Sequence, residues 1–461
     1  MDASQNPSPV TEPLGQWVSG LALSAVPADV LAHLRLCLLD SIGCGLFGAV
    51  QPWGRIAGDV AADLSGGGAA SLLARSETVS PADAALANGT AIHGFEIDDA
   101  HVTSSLHPGA VTLPACFALA EANGASGAEV LAALAAGYET GLRVGVCAGI
   151  AHSTSGFHVT GTVGTVAAAA AGARLLRLTA EQSAHALGIG ATQGAGLYAA
   201  RTGAMSKRFH AGRAAQSGVL AALLAQRGFT GSLDALEAPF GGFMSTLHGQ
   251  HDPATMLADL GTRWETARVG LKAYAACASA HTTIDGVLEL RRRGLSPDNL
   301  DRMTVRMSRK GHLNIAFPYR PGEVIAAQMN GFYAAAVALL DGEAFIDQYA
   351  AARLADPRIL ALIPRIDIRH APALDRGGAA RRHAVTIEAV RRDGGTMSTT
   401  VEQRRGSAEH PLSRQEVEAK FRRIAGVALR PAAIDELIGL VDTIECQPDM
   451  RRLAALITAA A

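Results

Sequence analysis

Residues 126–142 read Ser-Gly-Ala-Glu-Val-Leu-Ala-Ala-Leu-Ala-Ala-Gly-Tyr-Glu-Thr-Gly-Leu and indicate how most of the chain folds. Ser126, followed three residues later by Glu129, is the capping-box pattern that begins an α-helix. Leucine and tyrosine then recur at three- and four-residue spacing, while alanine and glycine fill the other faces. A helix that is apolar on nearly every side packs between other helices. The stretch therefore predicts a helical core whose helices approach one another closely.

The same helical character extends over residues 13–260. Ser80-Pro81 and Thr179-x-x-Gln182 are further helix-start patterns. Runs rich in alanine and glycine recur at 163–173 and 214–225. These runs predict additional buried helices in the same core.

The pattern changes near residue 266, where strands are expected. Residues 302–308 alternate polar and apolar side chains with period two, which predicts a half-buried strand. Residues 383–390 alternate in the same way, and Asp393-Gly394-Gly395 then separates them from 396–401, which predicts a β-hairpin. Helices are expected between these strands at 323–340 and 344–354. Together these segments predict a small α+β unit.

The predicted fold is mostly α: a large all-helical domain with an inserted smaller α+β lid domain. Helical periodicity returns at Ser413, with Glu416 three residues later, and continues to the C-terminus. The predicted organisation is a helical domain over 1–265, the α+β domain over 266–404 and a return to the helical domain over 405–461. The boundary between two such domains is a common place for a ligand cleft.

Composition narrows the class of protein. The 461 residues are 49% hydrophobic and 18% charged, which excludes a disordered or collagen-like chain. The formal net charge is −2, so the chain has no excess of basic residues with which to bind nucleic acid or an anionic membrane surface. Only four of the 40 basic residues are lysines, so a lysine within a motif is more significant than it would be in most chains.

The six cysteines are scattered without a C-x-x-C pair, as expected for reduced, buried thiols. Residues 1–13 lack the basic and apolar regions of a secretory signal. The most apolar stretches are interrupted by charged residues or histidine before they reach the length of a membrane helix. A cytoplasmic protein without a membrane or nucleic-acid partner is predicted.

Polar groups are concentrated in four stretches, of which the first is 93–110. It contains three histidines, three carboxylates and three hydroxyls, Thr103 among them, in the 15 residues that end at His107. A polar loop that leads into a buried helix is a common position for functional groups, which makes Asp98, Asp99 and His107 candidates. A carboxylate beside an imidazole suits general acid–base chemistry. A metal site is the alternative, but no recognised ligand spacing supports it.

The second stretch, 156–164, places His158 before an alanine-rich helix. Its glycine spacing, without a preceding strand, does not match a nucleotide-binding motif. A packed interior position is the other interpretation of His158. The third stretch, 203–213, places Lys207 among arginines and a histidine and predicts an anion site.

The fourth stretch, 272–285, lies at the start of the α+β unit and contains Lys272, Tyr274, Cys277 and His281. Polar groups at this position could close over a ligand held by the helical domain. No neighbouring pattern marks Cys277 as an activated nucleophile, so it is expected to be a packing residue.

The chain resembles the MmgE/PrpD family in residues 95–114, 156–164, 203–213 and 272–285, in this order and at these separations, and also in residues 38–43 and 334–342. The resemblance covers nearly the whole chain. That family includes 2-methylcitrate dehydratase, cis-aconitate decarboxylase and iminodisuccinate epimerase. The resemblance implies a large helical domain with a smaller lid, usually in a homodimer. It also implies chemistry without a cofactor on small di- or tricarboxylates in the cleft between them.

The resemblance further implies which side chains meet in that cleft. The residues expected to be catalytic are His107, His158, Lys207, His281 and Asp98. The residues expected to bind substrate are Glu96, Asp99, Thr103, Tyr274 and Lys272. His281, on the lid, is expected to act from the side opposite the other groups. The chain departs from the family pattern at Glu96, where aspartate is usual, at Ala100, where threonine is usual, and at Ala275, where proline is usual.

All three activities control a proton or negative charge on a carbon next to a carboxylate. Positive groups such as Lys207 would stabilise the resulting carbanion. We expect a hydro-lyase that acts on a 2-methylcitrate-like hydroxy acid, with decarboxylation or epimerisation as the alternatives. A non-catalytic carboxylate-binding paralogue is the alternative from another class; Ala100 and Ala275 favour it, whereas the retained lysine and histidines oppose it.

Overall fold

The computed structural model describes residues 8–378 and 381–458 of the chain. The fold is mostly α-helical, with a smaller part that combines helices with a four-stranded sheet, as predicted. The α-helices of the described residues are α1 (Thr11–Gly20), α2 (Ala28–Ala49), α3 (Pro52–Ser65), α4 (Pro81–Ile92), α5 (Gly109–Asn123), α6 (Gly127–Thr154), α7 (Val159–Leu175), α8 (Ala180–Ala191), α9 (Ser206–Gln226), α10 (Phe243–Thr246), α11 (Ala278–Arg292), α12 (Arg309–Ile315), α13 (Val324–Gln328), α14 (Gly331–Asp341), α15 (Pro357–Leu362), α16 (Arg414–Ala425), α17 (Pro431–Asp442) and α18 (Arg451–Thr458). The strands are β1 (Ala70–Ser71), β2 (Thr78–Val79), β3 (Leu300–Met307), β4 (Ile366–His370), β5 (Val385–Arg391) and β6 (Thr396–Val401).

The helix starts predicted from capping patterns are confirmed. The Ser126 hydroxyl accepts a hydrogen bond from the Glu129 N–H at 3.3 Å, and the Glu129 carboxylate accepts from the Ser126 N–H at 2.8 Å. Thr179 begins α8 with the same reciprocal pair, Ser413 begins α16 in this way, and Ser80 caps α4. These side chains satisfy backbone N–H groups that the first turn of a helix leaves without partners.

Helix α7 lies inside the helical part, in contact with α6, α8 and α9. Small residues permit this arrangement. A Cβ atom on Gly137 of α6 would lie 2.7 Å from the Cβ atom of Ala171, and one on Gly218 of α9 would lie 2.3 Å from that of Ala168. Larger side chains would force the helices apart, so the alanine and glycine content sets their spacing.

Helices α2 and α6 are long and apolar enough to cross a membrane by length and composition alone. Charged residues nevertheless interrupt both helices, Arg35 and Asp40 in α2 and Glu139 and Arg143 in α6. Of their most apolar windows, 72% and 94% are buried within the structure. Burial on nearly all sides is what core helices of a packed domain show.

The sheet of the α+β part has the strand order β4-β3-β5-β6. β3 and β5 pair antiparallel, and β5 continues through the turn at 393–395 into antiparallel β6, which confirms the predicted strand and hairpin. β4 runs parallel to β3, with Val305 opposite Ile368. This strand was not predicted, because its alternating pattern is only five residues long. Helix α11 packs against β5 and β6, and α14 packs against α11 and β4.

Both helix predictions within the α+β part are wrong: the first region contains two helices and the second contains no α-helix. Residues 323–340 form α13 and α14 instead of one helix, because Asn330 has extended backbone and its side chain caps α14 by accepting from the Tyr333 N–H at 3.0 Å. Residues 344–354 form short 3₁₀ turns. There the Tyr333 hydroxyl donates to the Gln348 carbonyl at 2.8 Å, so a tertiary contact takes the place of a helical hydrogen bond.

After β6 the chain returns to the helical part, where α16 packs against α2. A Cβ atom on Gly43 would lie 2.8 Å from the ring of Phe421 and 2.9 Å from the side chain of Ile424. This close contact joins an early and a late segment of the chain. The domain limits 1–265, 266–404 and 405–461 stay a prediction.

Candidate active site

A cleft lies where the α+β part meets the helical part. Its polar lining from the helical part includes Glu96, His101, Ser105, His107, His158 and Lys207. Its polar lining from the other part includes Lys272, Ser279, Lys310, Asn314, Arg382, His383 and Arg404. The four polar stretches of the sequence therefore all contribute to one concave site.

The loop between α4 and α5 forms one side of this cleft. Glu96 (φ 57°) and Ser105 (φ 62°) have left-handed backbone conformations, which are uncommon for residues other than glycine. Such conformations persist where the surrounding structure imposes them, and they cluster at functional sites.

Three side chains from distant parts of the chain fix the carbonyl groups of this loop. Arg208 donates to the Gly94 carbonyl at 2.5 Å, Gln328 to that of Phe95 at 2.6 Å and Lys420 to that of Ile97 at 2.6 Å. These contacts hold the backbone from which Glu96 and Asp98 project.

The Glu96 carboxylate lies between two lysines. Its Oε1 atom accepts a hydrogen bond from Lys207 Nζ, and its Oε2 atom accepts from Lys272 Nζ at 3.0 Å. All three side chains are buried. Burial alone would raise the pKa of the Glu96 carboxyl, but the two ammonium groups hold it well below its usual range. The carboxylate therefore fixes two positive charges at the cleft.

Asp98 lies between two imidazoles. Its Oδ2 atom is 2.6 Å from Nδ1 of His93 and 3.2 Å from Nδ1 of His107. Nδ1 of His107 is also 2.7 Å from the Asp99 carbonyl oxygen. Because only acceptors face these nitrogens, we assign a proton to Nδ1 of each ring. This tautomer leaves Nε2 of His107 without a partner among the described residues.

Nε2 of His93 accepts a hydrogen bond from Lys207 Nζ at 3.2 Å. Burial and the nearby Lys207 lower the pKa of His93 to about 4. His93 is therefore a neutral ring that connects the Asp98 group to the lysine pair.

His93, Asp98 and His107 are also residue types that bind zinc, and their ligand atoms lie within 4.8 Å of one another. However, Lys207 Nζ is 3.2 Å from His93 Nε2, and Lys272 Nζ is 3.6 Å from Asp98 Oδ1. Two ammonium groups this close disfavour a divalent cation. The arrangement suits proton transfer better than metal binding.

The ring of His158 stacks on that of His93, with centroids 5.2 Å apart. Its Nδ1 atom lies 3.0 Å from Nδ1 of His210, a half-buried residue of α9. Burial and Lys207 lower the pKa of both rings, that of His210 to about 4 and that of His158 well below its usual range. The site thus contains a neutral histidine with a second histidine behind it.

The α+β part contributes three cations, Lys310, Arg382 and Arg404, that line the cleft. Arg382 donates to the Ser105 hydroxyl at 3.1 Å. Nε of Arg382, and Nε and Nη1 of Arg404, are buried without a hydrogen-bond partner among the described residues. Burial lowers the pKa of Lys310 to about 8. Guanidinium donors held without partners are suited to receive an anion.

These three cations were not predicted as site residues from the sequence. The scarcity of lysine was a signal that could have found Lys310. All four lysines of the chain lie at the cleft or directly behind it, since Lys207, Lys272 and Lys310 line it and Lys420 binds the loop carbonyl between Glu96 and Asp98. No comparable signal distinguished Arg382 and Arg404 in a chain rich in arginine.

Six of the ten predicted site residues lie together. Glu96, His107, His158, Lys207 and Lys272 line the cleft, and Asp98 lies directly behind His107. The other four, Asp99, Thr103, Tyr274 and His281, are not among its lining residues. The functional role of all ten stays a prediction.

Asp99 is buried at the start of α5. Its Oδ1 atom accepts from the Gly109 N–H at 3.0 Å and its Oδ2 atom accepts from the Tyr138 hydroxyl at 2.8 Å. Burial raises the pKa of Asp99 to about 8. These contacts give Asp99 a supporting position. Thr103 lines a neighbouring cavity.

Tyr274 and His281 contact each other, with ring centroids 5.2 Å apart. The Tyr274 hydroxyl donates to Asp285 Oδ1 at 2.6 Å, and Nε2 of His281 lies 3.1 Å from the Ala276 carbonyl oxygen. Both side chains are buried in the α+β part.

Known proteins with similar sequences agree with this organisation. Residues 12–255 match the MmgE/PrpD N-terminal domain and residues 274–444 match the MmgE/PrpD C-terminal domain. The chain is 32% identical to the cis-aconitate decarboxylase-like protein oryM of Aspergillus oryzae, over 97% of each chain. It is 30% identical to a cis-aconitate decarboxylase of Aspergillus terreus, over 98% of this chain and 96% of the relative. It is 27% identical to the cis-aconitate decarboxylase of Homo sapiens, over 97% of this chain and 94% of the relative.

Proposed function

Because the chain belongs to the MmgE/PrpD family, we propose that it is a lyase that releases one carboxylate of a cis-aconitate-like tricarboxylate as carbon dioxide. The relatives' names favour this reaction over the predicted dehydration of a 2-methylcitrate-like acid. Dehydration and epimerisation are kept as competing outcomes of the test.

The observation that carries the proposal is the balance of charge around the cleft. Five cationic side chains line it, namely Lys207, Lys272, Lys310, Arg382 and Arg404, and Glu96 is the one carboxylate among the lining residues. Glu96 binds the first two. The remaining three have no carboxylate within ion-pair distance in the described part of the chain. This excess of positive charge matches a ligand with three carboxylates.

The chemistry needs no external electron acceptor. The bond between the methylene carbon of cis-aconitate and its carboxylate breaks, and its electron pair becomes a new carbon–carbon double bond. The pair of the old double bond moves to the carbon that bears another carboxylate, and that carbon takes one proton. One trianion and one proton thus give carbon dioxide and a five-carbon unsaturated dicarboxylate.

The charge that develops in this step spreads onto the neighbouring carboxylate. Lysine and arginine donors already held in place stabilise such charge without reorganisation. Lys207 and Lys272 are fixed by Glu96, which gives them this preorganised position. Four histidines line the cleft, and the two whose rings contact His93, namely His107 and His158, are the candidates to deliver the proton.

We also propose that the chain acts as a homodimer, as the family resemblance implies, and that it does so in the cytoplasm, as its scattered cysteines predict. Light scattering of the purified protein tests the first part, since a mass near twice 47.4 kDa supports it. A mass of one chain would count against it.

Incubation of the purified protein with cis-aconitate, 2-methylcitrate or iminodisuccinate in deuterated water, followed by proton NMR, tests the reaction. We expect cis-aconitate to disappear and a five-carbon dicarboxylate with one deuterium to form. Loss of water from 2-methylcitrate alone would support the dehydratase, and deuterium uptake with inversion would support an epimerase. A folded protein inactive on all three would support the binding paralogue.

A further inference from the structure

His158 and His210 lie with their Nδ1 atoms 3.0 Å apart. Two neutral ring nitrogens at this distance need one shared proton, because two bare nitrogens have no donor and two N–H groups repel each other. Nδ1 of each ring is thereby committed to the other ring. Nε2 of each ring takes no part in this contact, and His158 is the member of the pair that lines the cleft.

The two rings differ in their access to water. His158 is buried, with 4% of its surface exposed, whereas His210 is half-buried on α9. His210 is not among the lining residues of the cleft, so the pair joins a cleft-lining ring to a ring that is partly exposed elsewhere.

Glycines allow the two rings to approach. A Cβ atom on Gly196 would lie 3.3 Å from Cγ and Nδ1 of His210 and 3.5 Å from Cβ of His158. A Cβ atom on Gly161 would lie 3.1 Å from Cβ of His210. The Gly196 carbonyl also accepts from the His158 N–H at 3.1 Å. The backbone is thus shaped around this pair of rings.

The other candidate proton donor, His107, has no such connection. Nδ1 of His107 faces Asp98 and the Asp99 carbonyl. Asp98 in turn contacts His93, and both of these side chains are fully buried. A proton lost from His107 would have to be replaced through the cleft itself.

Neutral imidazole is a weak acid unless its second nitrogen gains a proton as the first loses one. Burial and Lys207 lower the pKa of His158, which keeps this ring neutral near pH 7. His158 therefore needs a partner at Nδ1 if it is to donate from Nε2. His210 is the side chain at that position.

We propose that His210 is a positioning residue that supplies His158 with a proton as His158 protonates the substrate carbon. The inference rests on the proposed function, in which each turnover consumes one proton. His158 gives its Nε2 proton to the carbon and takes the shared proton at Nδ1, while His210 takes a proton from water at Nε2. One proton leaves the pair and one enters it. Water in the emptied cleft then restores the starting tautomers.

The first test needs no substrate. In protein labelled with ¹⁵N-histidine, we expect NMR to show one ring with a protonated Nδ1 and its partner with a bare Nδ1, and both signals to change in His210→Gln. The proposal would be overturned if Nδ1 carried the same protonation state in both rings, or if the signal of His158 did not change in His210→Gln.

The second test is kinetic. We expect His210→Gln and His210→Phe to lower kcat about 100-fold, within the range ascribed to general acid catalysis, while KM stays within about twofold. Added imidazole should restore part of kcat in the smaller variant. The matched control is His185→Gln. His185, in α8, is also half-buried, but its ring contacts the Gly231 carbonyl instead of a second histidine. Unchanged kcat in both His210 variants, with circular dichroism like the wild type, would overturn the proposal.

The two proposals fail in different ways. If the wild type leaves cis-aconitate intact but protonates another acid of the panel, the proposed function fails, and the His210 variants are compared on that acid. If the wild type acts on none of them, the NMR experiment alone decides the pairing on which the relay depends.

Discussion

The ammonium group of Lys420 donates to the carbonyl oxygen of Ile97 at 2.6 Å, and Ile97 is the residue between Glu96 and Asp98. The same Nζ atom lies 2.6 Å from Oδ1 of Asp40 in α2. Helix α16 thus fixes the backbone from which the carboxylates of Glu96 and Asp98 project. A segment more than 300 residues away in sequence supports the site.

Lys420→Met tests this support. The substitution leaves Asp40 buried without its cation, and removal of one partner from a buried pair costs about 3–5 kcal/mol. We expect a decrease of this size in the free energy of unfolding measured with denaturant, and partial recovery in the double variant with Asp40→Asn. The half-buried surface carboxylate Asp442, which binds Arg414, is the control; Asp442→Asn should change the free energy by less than about 1 kcal/mol. Equal effects of the two single variants would contradict this role.

Lys207→Met should lower kcat by about 10²–10³-fold, the range found for loss of one preorganised charge-stabilising donor. Steady-state kinetics on the turned-over acid provide the measurement. Arg213→Ala, which removes an exposed cation from the same helix, should keep the activity of the wild type. Similar losses in both variants would show that the position of Lys207 beside Glu96 has no special importance.

Arg382→Gln and Arg404→Gln should each raise KM for a tricarboxylate by about tenfold or more, because a hydrogen bond to a charged group contributes about 1.5–3 kcal/mol. Both guanidinium groups line the cleft without carboxylate partners in the described residues, so the ligand is their expected partner. The matched measurement uses a dicarboxylate inhibitor. A smaller change in its Ki than in KM for the tricarboxylate would support the assignment of these arginines to a third carboxylate.

Asp99→Asn should weaken the pH dependence of stability. Burial raises the pKa of Asp99 to about 8, above the value in an unfolded chain, so the folded state holds a proton that the unfolded state loses. Its contribution to stability is complete below about pH 4 and is lost as the pH rises to about 8. The slope contributed by one group is at most about 1.4 kcal/mol per pH unit.

Denaturant titrations at several pH values between 5 and 8 measure this slope. We expect a shallower decline of the unfolding free energy in Asp99→Asn than in the wild type. Asp435→Asn, at an exposed carboxylate paired with Arg422, should leave the slope unchanged. A slope that is the same in all three proteins would show that Asp99 titrates normally in the fold.

The sequence was sufficient for the fold class because local patterns and packing agree there. Ser126 and Thr179 begin helices where their capping boxes predict, and the alternation at 383–390 forms strand β5. Residues 344–354 show where such patterns fail. Their apolar residues have helical spacing, but the Gln348 carbonyl accepts a hydrogen bond from the Tyr333 hydroxyl. The periodicity of the sequence does not predict this tertiary contact.

The candidate site was predictable to the extent that its residues are unusual in this composition. Lys207 and Lys272 are distinctive in a chain with four lysines, and both meet at Glu96. Asp99 adjoins Asp98 in sequence, yet successive side chains of the loop point in different directions, and Asp99 binds the start of α5 instead. Which of two neighbouring carboxylates faces the cleft depends on the three-dimensional path of the loop.

The placement of the lysines also determines how the protein reacts with amine-directed reagents. Lys207, Lys272 and Lys420 are buried, and Lys310 is half-buried at the cleft, so none of the four ε-amino groups is among the fully exposed side chains. An acylating label that modifies flexible surface lysines in most proteins would encounter Lys310 as the most accessible of these amines. Its rate of incorporation, and the protection given by a bound anion, would report occupancy of the cleft without any assay of turnover.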